Sequence, residues 1–406
     1  MTGTIVTGLG VVAPTGLGVE EYWANTLAGR SAIGPLARFD AGGYQLRLAG
    51  HVPDFHVTDH ISSRLAVQTD RWTHFGLVAG TEALTDAGAL PLAETGLSDY
   101  ELAVVTAASS AGNEYGQGEL GKLWSKGPAQ VTTFQSIAWF YAAMTGQISI
   151  RYGMRGSCGV LASEQAGGLD AIGHARRVLR TGTKLVVAGG GEAALSPYAV
   201  VCQQANGLMS TADDPALGYR PFSADTTGYL PGEGAGILVV EDEESATTRG
   251  APRNYGRISG YAATFDPRPG IRRGPSLVRA ARLALEDAGV TPDDIDVVFA
   301  DAGGTRRLDR IEADAIAELF GPRGVPVTAP KVATGRLYAG GAALDLVTAL
   351  LAIRDSVIPP TPGVRPDPAY QLDLVGDQAR SARLRTVLVL ARGFGGFNSA
   401  VVVTAP

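Results

Sequence analysis

The chain has 406 residues, 45% of them hydrophobic and 18% charged, with a formal net charge of −6. That length predicts a large buried core, the acidic balance excludes the basic stripe of a nucleic-acid binder, and no run approaches the roughly 20 apolar residues that cross a bilayer. Cys158 and Cys202 are the only cysteines. They are too few for a disulfide framework and stand in no metal-ligand spacing, so both are expected to be buried small hydrophobes.

Met1 leads directly into a strand-like run with no basic head or cleavage site, which makes a cytoplasmic protein the expectation. Thr2–Pro14 predicts a strand ending in a glycine turn, followed by a helix from Val19 that stops at Gly29. Gly8 and Gly10 suggest a dinucleotide fingerprint, but Ala13 takes the place of the third glycine and Pro14 disfavours the phosphate-binding helix. His51, His56 and His60 lie in a polar, turn-rich stretch with no spacing that seats all three on one face, so a loop is expected there and no metal site.

A helix is predicted over Thr69–Ala87 and a strand over Leu102–Ala107. Ser109–Trp124 is too rich in glycine for a core helix and is expected to border a space. Phe134–Met154 is apolar and carries Trp139, Phe140 and Tyr141, as a core helix or a subunit-interface helix would. A strand, the turn Ala162–Gly168 and an amphipathic helix follow, and then a strand from Lys184 that ends in glycines. In the glycine-rich approach to the strand ending at Asp242, Glu233 is expected as a buried acceptor or ion-pair partner, with a catalytic role as the alternative.

The second half opens on a strand near Tyr255, crosses a loop from Asp266 to Pro275 and then echoes the first. Glu82–Gly88 reads EALTDAG and Leu283–Gly289 reads LALEDAG, each followed by a turn and an apolar strand. Val160 and Val332 each open an apolar entry, a small-residue turn and an amphipathic helix, and each helix leads on to a strand ending in glycines. Matches in the same order predict a duplicated α/β architecture with pseudo-equivalent halves, 1–250 and 251–406, in one continuous body.

Strand, turn and helix N-terminus meet at Ala162–Gly168, a geometry that suits a nucleophile because backbone N–H groups and the helix dipole stabilise negative charge. The residue on that turn is Gln165, whose carboxamide has no titrating proton and is a poor nucleophile. Asp301, at a strand end, and Arg336 are expected to face one pocket and pair, which leaves neither as a general base.

The runs VTGLGVVAPTG, MTGQISIRYGMRG, FSADTTGYLPGEGAG and GFGGFN closely resemble the β-ketoacyl synthase branch of the thiolase-like superfamily. Within it the chain is similar to the chain length factors, or ketosynthase-β subunits, of bacterial aromatic (type II) polyketide synthases. That resemblance covers essentially the whole chain and implies an α-β-α-β-α layered fold. It places the family's reactive cysteine on Gln165 and its two histidines on Asp301 and Arg336, and matches retained family positions to Lys331 and Glu312.

With all three reacting groups replaced, no catalytic residue is expected. The implied role is to pair with an active ketosynthase-α subunit and shape the tunnel into which the polyketide grows. Asn113, Gly116, Leu120 and Tyr198 are the implied tunnel positions, and Gly393, Phe394, Gly395, Gly396 and Asn398 the structural loop. No cofactor or metal is expected on this chain. A phosphopantetheine-bearing acyl carrier protein would dock mainly on the partner, and an accessory malonyl-carrier decarboxylation is the alternative activity.

Overall fold

The computed structural model describes residues 3–268, 274 and 276–406, so part of the loop expected over Asp266–Pro275 lies outside the described residues. The first half contributes β1 (Thr4–Ala13), α1 (Arg71–Asp86), β2 (Leu102–Ala107), α2 (Asn113–Lys126), β3 (Cys158–Leu161), α3 (Gly167–Leu179), β4 (Leu185–Glu192), α4 (Pro197–Gln204) and β5 (Gly234–Asp242). The second contributes β6 (Gly256–Phe265), α5 (Leu277–Ala288), β7 (Val297–Phe299), α6 (Arg306–Phe320), β8 (Pro326–Thr328), α7 (Ala339–Asp355), β9 (Asp373–Leu374), β10 (Thr386–Gly393) and β11 (Phe397–Thr404).

The strands form one mixed sheet in the order β9-β8-β7-β10-β11-β6-β1-β5-β4-β2-β3. Its two halves meet where β1 and β6 pair antiparallel, Ile5 opposite Arg257 and Val6 opposite Gly256. The fold is the thiolase-like duplicated α/β arrangement, and its repeat is visible atom by atom. On β1, a Cβ at Gly8 would sit 2.1 Å from the Ala83 carbonyl oxygen and 2.8 Å from Ala87; on β6, one at Gly260 would sit 2.1 Å from the Ala284 carbonyl oxygen and 2.8 Å from Ala288. The next residue on each strand then donates to the helix: Leu9 N–H to Asp86 Oδ2 at 3.0 Å and Tyr261 N–H to Asp287 Oδ2 at 2.9 Å. The two echoed heptapeptides are therefore one device used twice. A bare glycine lets helix and strand backbones touch, and an aspartate ties the helix end to the strand. The same contact explains Gly8, and Gly10 against the Ala79 carbonyl, without a nucleotide.

Helices α1 and α5 cover the outer faces, while α3 and α7 pack on each other and on the inner sheet surface. The outer layers close two apolar clusters and the inner helices a third. That middle position corrects the amphipathic reading of the last helix: every residue of α7 from Ala339 to Ile353 is buried, because a helix in the central layer has protein on all sides.

Two further readings change. Cys158 and Cys202 are exposed, since Cys158 opens β3 at the edge of the sheet and Cys202 lies on α4. The segment 134–154 is two helices, Gln135–Ala138 and Ala143–Tyr152, and the Trp139, Phe140 and Tyr141 triplet between them lies on the surface, outside the core.

Gly8→Val and Gly260→Val should each destabilise the chain by about 1–3 kcal/mol or more, because the added atoms meet backbone that cannot swing away. Gly118 sits in a helix with nothing within 4 Å of its would-be Cβ. Gly118→Ala should be neutral or stabilising by up to ~1 kcal/mol. Thermal unfolding of the three variants checks both expectations.

Candidate degenerate active site

The turn between β3 and α3 holds Glu164 at φ +52, a left-handed conformation that turns the chain sharply into the helix. Gln165 follows with no exposed surface, and neither its Oε1 nor its Nε2 has a protein hydrogen-bond partner. A Cβ on Gly341, at the start of α7, would lie 2.4 Å from Gln165 Nε2, so the carboxamide fits only because α7 opens on bare backbone. The amide occupies the elbow, and no sulfur or hydroxyl takes its place.

Asp301 follows β7 and Arg336 precedes α7, and the two meet as a buried two-point ion pair. Arg336 Nη2 donates to Asp301 Oδ1 and Nη1 to Oδ2, both at 3.1 Å. The same guanidinium donates to the carbonyls of Asp301 at 3.0 Å and Arg392 at 2.9 Å, and the Arg392 N–H donates to Asp301 Oδ1 at 2.9 Å. Burial would raise the Asp301 pKa, but the Arg336 and Lys331 charges outweigh it and hold the carboxyl below the ordinary range.

Lys331 Nζ lies 2.5 Å from Asp345 Oδ2 in an alignment poor for a hydrogen bond, so charge holds that pair. Glu312 on α6 accepts from the Asp301 N–H at 2.6 Å and the Ala302 N–H at 2.8 Å. Burial and the neighbouring Asp301 charge push its pKa up to about 8. The structure thus gathers Gln165, Asp301, Arg336, Lys331 and Glu312 around one centre and leaves each charged group engaged.

The glycine loop closes the same centre. A Cβ on Gly393 would fall 2.2 Å from the Ser163 carbonyl oxygen. Arg392 Nε and Asp266 Oδ1 fix the two ends of the Asn398 amide at 3.0 and 2.8 Å. A cavity of about 350 Å³ remains, lined among others by Glu164, Tyr229, Asp266, Asp301, Arg336 and Phe394.

Nothing in the sequence beyond its place beside Gln165 marks Glu164 as part of this centre. Its carboxylate accepts from the Phe394 N–H at 2.9 Å, and the adjacent Gln165 N–H also favours its charged form. Burial raises the pKa of Glu164, against the pull of Arg336 and of both amides. Among the described residues no group of three or more His, Cys, Asp or Glu could hold a metal ion.

The implied tunnel positions lie elsewhere, on α2 and α4, which pack together through a bond from the Tyr198 N–H to Gln117 Oε1 at 2.9 Å. Leu120 and Tyr198 are about half exposed. The glycine-rich segment is a helix with Gly118 and Gly121 on an open face, whereas Gly116 is buried with Trp139 Cδ1 3.0 Å from its would-be Cβ. Any side chain larger than hydrogen at Gly116 must displace that indole.

Residues 3–246 match the family model for the N-terminal domain of β-ketoacyl synthase and residues 255–365 that for its C-terminal domain. The chain is 56% identical over 401 residues to the tetracenomycin polyketide synthase ketoacyl synthase beta subunit of Streptomyces glaucescens, covering 98% of this chain and 97% of the relative. It is 54% identical over 400 residues to the actinorhodin polyketide putative beta-ketoacyl synthase 2 of Streptomyces coelicolor, covering 98% of each. Among solved structures, the ishigamide ketosynthase/chain length factor superposes with a TM-score of 0.90 at 29% identity, over 100% of this chain and 99% of that one. A type II polyketide synthase acyl carrier protein in complex with its hexaketide-bound ketosynthase superposes at 0.88 with 28% identity, over 100% of both.

Arg336→Ala strands the Asp301 carboxylate in the interior and should cost about 3–5 kcal/mol, while the double variant Asp301→Asn/Arg336→Met should recover part of that loss. Denaturant unfolding of the two variants reads the difference. Glu312 gives a pH dependence of defined sign. It titrates at about 8 when folded, against about 4.3 in an unfolded chain. Between those values the folded form keeps a proton that the unfolded form has lost, so stability falls as pH rises. Asp309, raised to about 7 chiefly by burial, adds in the same direction. The unfolding midpoint should be higher at about pH 6 than at about pH 8, and Glu312→Gln should narrow the gap.

Proposed function

The chain belongs to the β-ketoacyl synthase family, and from that premise we propose that it is a chain length factor, a subunit that forms no carbon–carbon bond itself. It pairs with the active ketosynthase of a type II polyketide synthase, walls part of the elongation tunnel and sets poly-β-ketone length. One observation carries this reading: the buried Gln165 carboxamide at the elbow, beside an ion pair where the family has histidines. Condensation by this family needs a thiolate to carry the acyl chain and neutral imidazoles to stabilise enolate and oxyanion. An amide cannot be acylated, and an arginine locked to an aspartate can neither take up nor release a proton at neutral pH.

Accessory decarboxylation is disfavoured by Glu164. Its carboxylate already holds the Phe394 N–H, a backbone donor beside the elbow that an enolate would otherwise draw on.

The surface supports the pairing. Strand β3 ends the sheet with one edge unpaired by any described strand, and the helix Ala143–Tyr152 packs beside it with Ile150 exposed. Trp139, Phe140, Tyr141 and Val201 add further exposed apolar area. Such a face is covered in an assembly. The pantetheine arm of the carrier protein delivers extender units to the partner's nucleophile, so this chain needs no cofactor of its own. No helix among the described residues is long and apolar enough to cross a membrane, in keeping with work in the cytoplasm.

We place the length-setting wall on α2 and α4, at Asn113, Gly116, Leu120 and Tyr198. Asn113, Gly116 and Leu120 are non-aromatic, which favours products at the longer end of the family's range. Gly116→Phe must push Trp139 aside and should shorten the main product by about one or two extension units. Mass spectrometry of the product released by the co-expressed pair reads the change. An unchanged product removes α2 from the wall.

A further inference from the structure

Helix α2 is weakly held by its own packing. Of its 14 residues only Gly116 and Glu119 are buried, so apolar burial does little to fix where it stands. Its first turn hangs instead between two buried carboxylates that belong to the rigid core. Glu192, at the end of β4 and fully buried, accepts from three successive N–H groups of the loop entering α2: Ser109 at 2.7 Å and Ser110 at 2.9 Å on Oε2, and Ala111 at 3.2 Å on Oε1. Those bonds hold Ala111 at φ +55, and the next residue, Gly112, packs where a Cβ would meet the Ala138 carbonyl oxygen at 2.0 Å.

From the opposite side Asp70, the N-cap of α1 and only 3% exposed, accepts from the Trp72 N–H at 3.1 Å on Oδ1. Its Oδ2 accepts from the Tyr115 N–H, inside the first turn of α2, at 2.7 Å. Further ties of α2 lie at the surface or run to the following loop and α4: the exposed Arg38–Glu114 ion pair, the Tyr115 hydroxyl to Thr132, buried Glu119 to the Thr132 N–H, and Gln117 to α4.

We infer that Glu192 and Asp70 are positioning residues for product length: they set where α2 stands, and so the width of the tunnel it walls. The inference rests on the reading of α2 as a length-setting wall. Neither residue touches the growing chain. Each acts by presenting oxygen acceptors to backbone donors that move with the helix, and a loosened support of this kind shows in the precision of the site more than in its presence.

Glu192→Gln and Asp70→Asn test this in the complex with the co-expressed active ketosynthase. Each keeps side-chain size but replaces an acceptor oxygen with an amide NH₂ that cannot accept a backbone N–H. Glu82→Gln is the control, since Glu82 accepts from the Val11 and Val19 N–H groups, on β1 and the helix that follows it, and has no bond to α2. Product lengths are measured as fractions of total polyketide, alongside the amount of assembled heterodimer. The off-length fraction should rise about threefold or more in Glu192→Gln and Asp70→Asn, and stay at the parent value in Glu82→Gln whatever the total yield.

An unchanged length distribution in both test variants, while Gly116→Phe does shift it, overturns the inference alone. No shift in any of the three overturns the reading of α2 and the inference with it. Loss of the heterodimer in both test variants but not in the control shows a structural role only, and likewise overturns it.

Discussion

The bidentate contact between Arg336 and Asp301 is the constraint around which the rest of the centre is arranged. A buried guanidinium is tolerable only where carboxylate and carbonyl oxygens meet each of its N–H groups. Here the partners come from the end of β7 and from Arg392 on β10. The pair fixes the charge state of both residues and makes the elbow a rigid, unreactive wall. Replacing such a pair with apolar residues is often neutral or stabilising, so its value lies in shape and in silence. Lys331 with Asp345, and Glu312 beneath two backbone amides, complete a cluster in which each charge has a partner.

Silence is reached more than once at the same place. Gln165 removes the nucleophile, the ion pair removes the bases, and the Glu164 carboxylate takes up the Phe394 N–H beside the elbow. The scaffold is otherwise intact: the elbow, the glycine loop pressed on Ser163 and the small-residue start of α7 all remain. On the proposed reading, a fold built to carry a reaction here carries only a surface, and its contribution moves to α2 and α4, where Leu120 and Tyr198 are half-exposed.

Much of this was legible in the residues because it depends on local spacing. EALTDAG and LALEDAG announced the duplication, and both their alanines and their aspartates make matching contacts with β1 and β6. The Asp301–Arg336 pairing and the buried role of Glu233, which accepts from the Val52 N–H and pairs with Arg71, were readable from charge and strand position. What stayed hidden depends on neighbours distant in sequence. The exposure of Cys158 follows from β3 being the edge strand, and the all-round burial of α7 from its packing on α3 and on sheet strands of both halves. The helicity of α2 despite its glycines follows from carboxylates on other elements. Trp139, Phe140 and Tyr141 have the composition of a core, yet they stand at the surface.

The central claim is that this chain shapes the product without ever carrying it. Intact-mass analysis of the two subunits, after the purified pair has been loaded from an acylated carrier protein, tests that most directly. The account predicts an acyl adduct on the ketosynthase partner and none on this chain. A covalent acyl group on this chain would contradict it.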